Sequence, residues 1–313
     1  MTVHLPVLLE ETLHLLSPQP GETFVDATFG AGGHSRAIAE RIGAKGTLVA
    51  IDRDPEARPR YEAFAAEVAC STRFVAADFA AGLRTLEGEG LRADGVLFDF
   101  GLSSPQIDDE HRGFSYSRDA PLDMRMDPEQ PLSAAVVIAD WERRDLAQAF
   151  KRFGEERNAG QIAAAIVRAR EEQPITTTGE LVAVIEATIP VHARLTGGHP
   201  AKRVFQALRI VVNGELDQVD AALPPAWRML DVGGRLAAIS FHSLEDRRVK
   251  KFFAPLAKDC ICPPELPVCR CGGEPEAALL QSGVVMAGDT ESEDNPRSRS
   301  AKLRAARKLR ETR

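Results

Sequence analysis

Along the first hundred residues, short and almost continuously apolar runs alternate with segments of helical period. That is the pattern of strands buried in a parallel sheet and covered by helices. Leu5, Leu8, Leu9, Leu13 and Leu16 predict a short amphipathic helix over 5–16, ended by Pro18 and Pro20-Gly21. Strands are expected at about 23–28, 46–52, 73–78 and 95–100, with helices at about 35–43 and 55–68. From about 111 to 214 the strand-like runs vanish. Trp141, Leu146, Ala149, Phe150 and Phe153 recur at helical spacing, as do Ile162, Ala165, Ile166 and Ala169. Thr177-Thr178-Gly179-Glu180 reads as a capping box opening a helix that carries Leu181, Val184 and Ile185, and Pro190 closes it. A helix over 201–213 puts Lys202, Gln206, Arg209 and Asn213 on one face and Val204, Leu208 and Val211 on another. The polar face is either solvated or a contact for nucleic acid. After a helix at about 215–231 the strand pattern returns over 234–243, with Gly233-Gly234 as its turn. A helix over 244–253 begins with Glu245 and Asp246 and ends with Lys250 and Lys251, the order its dipole favours. Ala301, Leu303 and Ala305 alternate with charged neighbours as a last strand. The expected architecture is α/β. A Rossmann-like sheet domain over 1–110 and 215–313 is interrupted by a helical domain over 111–214.

Composition adds little to this picture, and charge adds more. The 313 residues are 44% hydrophobic and 27% charged, enough for a sizeable core and ordinary for a globular chain. No apolar run reaches bilayer thickness, and the first residues lack the charged start and apolar centre of a signal peptide, so a cytoplasmic protein without a membrane partner is expected. The net charge of -7 excludes a chain that is basic throughout, and any RNA contact must use local patches. Residues 297–313 hold eight Arg or Lys against Glu311, so they carry +7 and the rest of the chain carries -14. A nucleic-acid tail is one reading of that segment, and the alternation over 301–306 favours the strand. Cys260, Cys262, Cys269 and Cys271 form two C-x-C pairs separated by six residues. Four thiolates so spaced suit a structural zinc clamp, with a disulfide staple and free thiols as open alternatives. Cys70 stands alone and is expected in the core.

The candidate chemistry centres on 24–35, Phe24-Val25-Asp26-Ala27-Thr28-Phe29-Gly30-Ala31-Gly32-Gly33-His34-Ser35. An apolar run ending in an acid, then a glycine-rich turn, then a helix start is a cofactor-binding strand–loop–helix. The dinucleotide fingerprint fails because Ser35 stands where its third glycine belongs, and no P-loop lysine follows. Asp52 ends the second strand, 20 positions after Gly32, where a ribose is gripped. Asp78-Phe79, ending the third, suit an adenine, and Phe79 suits the core equally. Asp99 ends the fourth and leads into Gly101-Leu102-Ser103-Ser104-Pro105-Gln106, where open α/β sheets do chemistry, although a turn acid in an ordinary Ser-Pro turn would look the same. His242 at the end of the fifth is either a substrate contact or a structural hydrogen-bonding group.

Longer stretches narrow the reading. They include 4–11 (His4-Leu5-Pro6-Val7-Leu8-Leu9-Glu10-Glu11), 26–35, 50–55, 98–109, 112–115, 121–128, 154–157, 239–247 and 295–301. In this order they resemble the RsmH (MraW) family of bacterial 16S ribosomal RNA cytosine-N4 methyltransferases. The resemblance implies a class I S-adenosylmethionine-dependent methyltransferase sheet with an inserted helical domain. The insert would recognise RNA. It implies Gly32, Gly33, His34, Asp52, Phe79, Asp99 and Gln106 as S-adenosylmethionine contacts. The substrate would be a cytidine of the decoding region in the small ribosomal subunit, with a homodimer left open. Asp99, Ser103, Ser104 and Pro105 are the expected catalytic set. Amino-methyltransferases of similar kind carry a second proline and an aromatic in this loop, and both are missing here. Phe100, Phe114 and Tyr116 stand as replacements for the base platform. Methylation of another amine, or a non-catalytic ribosome-binding platform, are the competing readings.

Overall fold

The computed structural model describes residues 6–189, 199–259 and 273–311, together with 262, 266, 268 and 270. The chain divides into two compact units, Met1–Gly101 with Leu216–Arg313, and Leu102–Glu215.

The first unit is a seven-stranded sheet. Helix α1 (Leu9–Leu16) precedes β1 (Thr23–Asp26), α2 (Gly33–Ile42) and β2 (Thr47–Asp52). Then come α3 (Ala57–Glu67), β3 (Ser71–Ala76), α4 (Phe79–Gly88) and β4 (Ala93–Asp99). The strand order is β3-β2-β1-β4, continued by β5 (Leu230–Ser240), β7 (Lys302–Lys308) and the edge strand β6 (Ala277–Leu279). Strands β1 to β5 are parallel, and β7 runs antiparallel to both its neighbours. This is the expected Rossmann-like α/β sheet. Its reversal of strand order at β1/β4 opens a crevice at the carboxyl ends of the strands. Phe24, Val49, Val96, Phe98, Leu236 and Ile239 are fully buried, as strands covered on both faces require. Cys70 is buried, as expected.

The basic C-terminal segment folds as the expected strand. Two of its cations are answered internally: Arg304 pairs with Asp246, Nε to Oδ1 at 2.6 Å, and Lys308, wholly buried, donates to the Leu230 carbonyl at 2.7 Å. At the amino end of the sheet Arg235 donates to the carbonyls of Leu16 and Ser17 and pairs with both oxygens of Glu22. That arginine holds the end of α1 against β5.

The second unit contains α5 (Ser104–Asp108), α6 (Ala134–Asp140), α7 (Arg143–Phe153), α8 (Ala159–Glu172), α9 (Thr178–Thr188) and α10 (Ala201–Asn213). Its core joins Met124, Ile138, Leu146, Phe150, Ile162, Ile166, Leu181, Ile185, Val204 and Leu208. The capping box is present: Thr177 Oγ1 accepts from Glu180 N at 3.2 Å and Glu180 Oε2 from Thr177 N at 3.1 Å. One expectation needs correction, that of the polar face of α10, while residues 109–133, for which no particular element is expected, are irregular. Their order comes from side chains bonded to carbonyls: Arg112 Nη2 donates to Arg125 O and Met126 O, and Arg125 pairs with Asp123. The polar face of α10 is mostly internal. Asn213 is buried, with Nδ2 donating to Met124 O and Oδ1 accepting from Met126 N, both at 2.8 Å. Gln206 donates to Phe153 O, and Arg209 is bidentate with Glu215. Lys202 alone of the four is exposed.

The first unit is completed by α11 (Glu215–Met229), α12 (Ser243–Leu256) and a short helix α13 (Asp289–Asp294). Among the described residues, no helix is long and apolar enough to cross a membrane.

Candidate active site

The glycine loop is built by its neighbours on every side. Phe29 is buried, edge-on to Tyr61 and Phe64 with centroids at 5.8 and 5.6 Å, and this anchors the turn. Gly32 has φ +78, and a Cβ there would lie 2.7 Å from the Phe29 ring. A Cβ on Gly33 would meet the Pro6 ring at 2.4 Å. The two glycines therefore let the N-terminal segment and the loop close over the start of α2. The loop is also tied to β2, with Gly30 N donating to Asp52 Oδ2 at 2.7 Å.

Four acids gather at the carboxyl ends of the strands. Asp26 ends β1, is buried, and accepts from Ser35 Oγ at 2.6 Å and Thr28 N at 3.0 Å. Burial pushes its carboxyl up to about 6, against the pull of those hydrogen bonds. Asp52 ends β2 and takes Gly30 N on one oxygen and Asp54 N on the other. Burial raises its pKa, with those two N–H groups and Arg60 acting the other way. Asp99 ends β4, and its backbone N–H donates to Thr28 Oγ1 at 2.7 Å. The Asp99 carboxyl lies well above the usual carboxylate range because it is desolvated and because Asp26 and Glu245 face it. Its side chain keeps 27% of its surface open, yet Oδ1 is buried and has no hydrogen-bond partner among the described residues. Glu245, almost wholly buried, accepts from Phe241 N at 2.8 Å.

His34 faces this cluster from α2. Its Nε2 is 3.0 Å from the Val7 carbonyl and its Nδ1 is 3.5 Å from Asp99 Oδ2. Burial pushes its pKa down to about 4, partly offset by the Val7 bond. Asp78 caps α4 through Ala81 N at 2.7 Å, and Phe79 is half-buried, edge-on to Phe98 at 6.0 Å. Gly32, Gly33, His34, Asp52, Phe79 and Asp99 thus share the carboxyl end of one sheet.

The remaining expected residues belong to the helical unit. Ser103 N donates to Gln106 Oε1 at 3.0 Å, and Gln106 is buried at the start of α5, beside Ser104 and Pro105. Phe100 does not serve as a platform, because it is buried and stacked on Phe98 at 5.1 Å. Tyr116 stacks on His199 at 4.7 Å, and Phe114 has the Arg112 guanidinium 5.8 Å from its ring centre. His242 caps α12, its Nδ1 accepting from Glu245 N at 3.4 Å, which is the structural role. Cys260, Cys269 and Cys271 lie outside the described residues, while Cys262 Sγ accepts from Arg270 N at 3.3 Å.

The periodicity missed three contributors. Arg60 reaches back to the Gly30 carbonyl at 3.2 Å, Val7 holds His34, and Glu245 bears on Asp99. Arg60 and Glu245 sit on predicted helices, where a solvated polar position looks the same in sequence.

A profile of the MraW methylase family matches residues 1–309. The chain is 50% identical over 307 residues to the ribosomal RNA small subunit methyltransferase H of Symbiobacterium thermophilum, covering 98% of this chain and 96% of that one. It is 46% identical over 309 residues to the protein of the same name from Heliobacterium modesticaldum, covering 98% and 99%. With Caldicellulosiruptor bescii it shares 46% over 314 residues, covering 99% and 100%. The sheet order is that of a class I methyltransferase. Fold and full-length similarity agree, and the chain belongs to the MraW methylase family.

Proposed function

We propose that this protein transfers a methyl group from S-adenosylmethionine to the exocyclic N4 amine of a cytidine in 16S ribosomal RNA of the small subunit. The observation that carries the cofactor half is the set of acids around the glycine loop. A cationic ligand suits Asp99, whose buried Oδ1 has no partner among the described residues. Asp52 suits the ribose hydroxyls, Phe79 and Asp78 the adenine, and Gly32, Gly33 and His34 the methionine portion. Gln106 is the expected contact from the helical unit. The cofactor supplies an electrophilic methyl on a sulfonium sulfur.

A cytosine N4 amine is a weak nucleophile because its lone pair is delocalised into the ring. Acceptors on its N–H bonds hold it and favour pyramidal geometry, so orientation supplies much of the rate. We assign those acceptors to Asp99 and to the chain that follows it, Ser103, Ser104 and Pro105, with the helical unit recognising RNA.

The test is methyl transfer from labelled S-adenosylmethionine to small subunits that lack their own methylation, with the product nucleoside identified by mass spectrometry. N4-methylcytidine in the decoding region is expected. Tight cofactor binding without transfer would favour the platform reading instead.

A further inference from the structure

The N-terminal segment before α1 has a task that its own residues do not announce. Val7 and Leu8 are buried, and Pro6 packs on Gly33. Leu8 sits in the left-handed region, with φ 54, and its N–H donates to Glu291 Oε1 at 2.8 Å, a contact from α13 near the other end of the chain. This clamp presents the Val7 carbonyl to His34 Nε2 at 3.0 Å. A carbonyl only accepts, so Nε2 must carry the hydrogen. A neutral ring with Nε2–H has a bare lone pair on Nδ1, and that lone pair points to Asp99 Oδ2 at 3.5 Å. Two acceptors facing each other in a buried site repel unless one of them brings a proton.

We propose that the Val7 carbonyl fixes His34 as its Nε2–H tautomer, that Nδ1 then holds a proton on Asp99 in the cofactor-free protein, and that this proton leaves when the positively charged cofactor binds. His34 is thus a positioning residue, acting through Asp99. The inference rests on the cofactor reading above. In the proton step the O–H bond of Asp99 breaks, its electron pair stays on the carboxylate, and the proton passes to solvent. The groups that bear on Asp99 favour this arrangement. Asp26 on β1 and Glu245 on α12 are acids, and both oppose a charge on Asp99. His34 on α2 stays neutral through burial. Asp52 on β2 bears on Asp26 and so adds to the same negative field. A cation arriving in this field removes the reason for the proton to stay. The acid would then be a carboxylate, able to accept from an amine N–H, only once the methyl donor is in place. An empty site would hold a proton where the loaded site holds a base.

The test is calorimetry of S-adenosylmethionine binding to the whole protein in two buffers of unlike ionisation enthalpy, at the acid end of its stable range. About one proton is expected to leave per cofactor bound, with affinity tightening about tenfold per pH unit until Asp99 ionises unaided. Asp99→Asn keeps a neutral donor toward Nδ1. It is expected to bind the cofactor more weakly and to release no proton. Asp26→Asn is expected to keep the release, with its pH range moved lower because one of the acids that oppose a charge on Asp99 is gone. Infrared difference spectra give a second readout, in which the protonated-carboxyl band of the free protein disappears on binding and is missing in Asp99→Asn. Nitrogen-15 shifts of His34 should report a protonated Nε2 and a bare Nδ1. Binding without proton release overturns the inference and leaves the cofactor reading intact. So does release that persists in Asp99→Asn, or an Nδ1–H tautomer. Absence of any binding overturns both.

Discussion

At the scale of single residues, the site depends on what is missing from two side chains and on what one acid accepts. Gly33 has an ordinary helical backbone, so alanine fits the chain there. Its methyl, however, would meet Pro6 at 2.4 Å. The N-terminal segment must shift, and with it the Val7 carbonyl that holds His34. Gly33→Ala is therefore expected to weaken S-adenosylmethionine binding by about tenfold or more, since small misplacements at a reacting site are costly. Its melting temperature should move little. Gly32→Ala adds backbone strain of about 1–2 kcal/mol, because φ is +78 there. It should lose both affinity and stability. Calorimetric binding beside thermal melts separates the two. On the proposed cofactor reading, Asp52→Ala removes a charged acceptor for the ribose. A bond to a charged group is worth about 1.5–3 kcal/mol, so binding should fall by roughly 10- to 100-fold. It also strips Gly30 N and Asp54 N of their acceptor, so this variant should melt lower than wild type. Asp52→Asn keeps one carbonyl oxygen and should recover part of the stability.

At the scale of elements, what was legible was what is local. The glycine loop could be read because its turn, the acid before it and the helix after it are adjacent in the chain. Strands β1, β2, β4 and the later part of β5 could be read because burial on both faces makes them almost continuously apolar, while β3 is half-exposed and showed itself by Phe74-Val75 alone. The capping box at Thr177 uses residues three apart, and it stands where the sequence puts it. The misses follow from long-range contacts. Edge strand β6 has three residues and exists by pairing with β7, which no period in its own sequence announces. Strand β5 begins at Leu230 rather than 234 because the chain carries an irregularity opposite Ala93 and Gly95 before regular pairing begins. Residues 109–133 carry no period of their own, and Arg112, Arg125 and Asn213 supply hydrogen bonds there that no regular element provides. Asn213 lies 87 positions from Met126, so its partnership left no local signal. Asn213→Ala leaves the Met126 N–H and the Met124 carbonyl without that partner in a buried place. It is expected to destabilise the protein by about 2–4 kcal/mol, since each unsatisfied buried group costs roughly 1–3 kcal/mol. Urea unfolding measures that loss. Methyl transfer to RNA should fall with it, while S-adenosylmethionine affinity, for which six of the seven proposed contacts lie in the sheet unit, should fall less. Loss of affinity equal to the loss of transfer would show that the loop serves the cofactor too.

At the scale of the whole molecule, buried ionisable groups with opposed preferences set how stability responds to pH. Asp26 is raised from an ordinary 3.8 to about 6, so its neutral form is the one the fold favours. Its contribution is complete below the unfolded value and is lost as pH rises through about 6. A shift of that size corresponds to about 3 kcal/mol. Asp52 and Asp99 are also raised, so each acts in the same direction. His34 is lowered from 6.5 to about 4, because burial favours its neutral ring. Its contribution is present above 6.5 and is lost as pH falls toward 4, again by about 3 kcal/mol. Between about pH 4 and 6.5 the histidine makes stability rise with pH and the acids make it fall. At this site one histidine is set against three acids, so above the range where the paired surface acids such as Glu87 and Asp123 ionise, the cofactor-free protein should lose stability toward neutral pH. Asp26→Asn stays neutral throughout, and its one oxygen keeps the Thr28 N–H while its amide group can donate to the Ser35 hydroxyl. It should reduce that loss by about 3 kcal/mol, read as a flatter or rising profile in chemical unfolding across the same pH range. The cationic cofactor supplies the charge that these acids lack, so saturation with S-adenosylmethionine should flatten the wild-type profile from the neutral side. A wild-type profile that rises steadily with pH, unchanged by Asp26→Asn, would mean that the acids at the strand ends are ionised in the empty site.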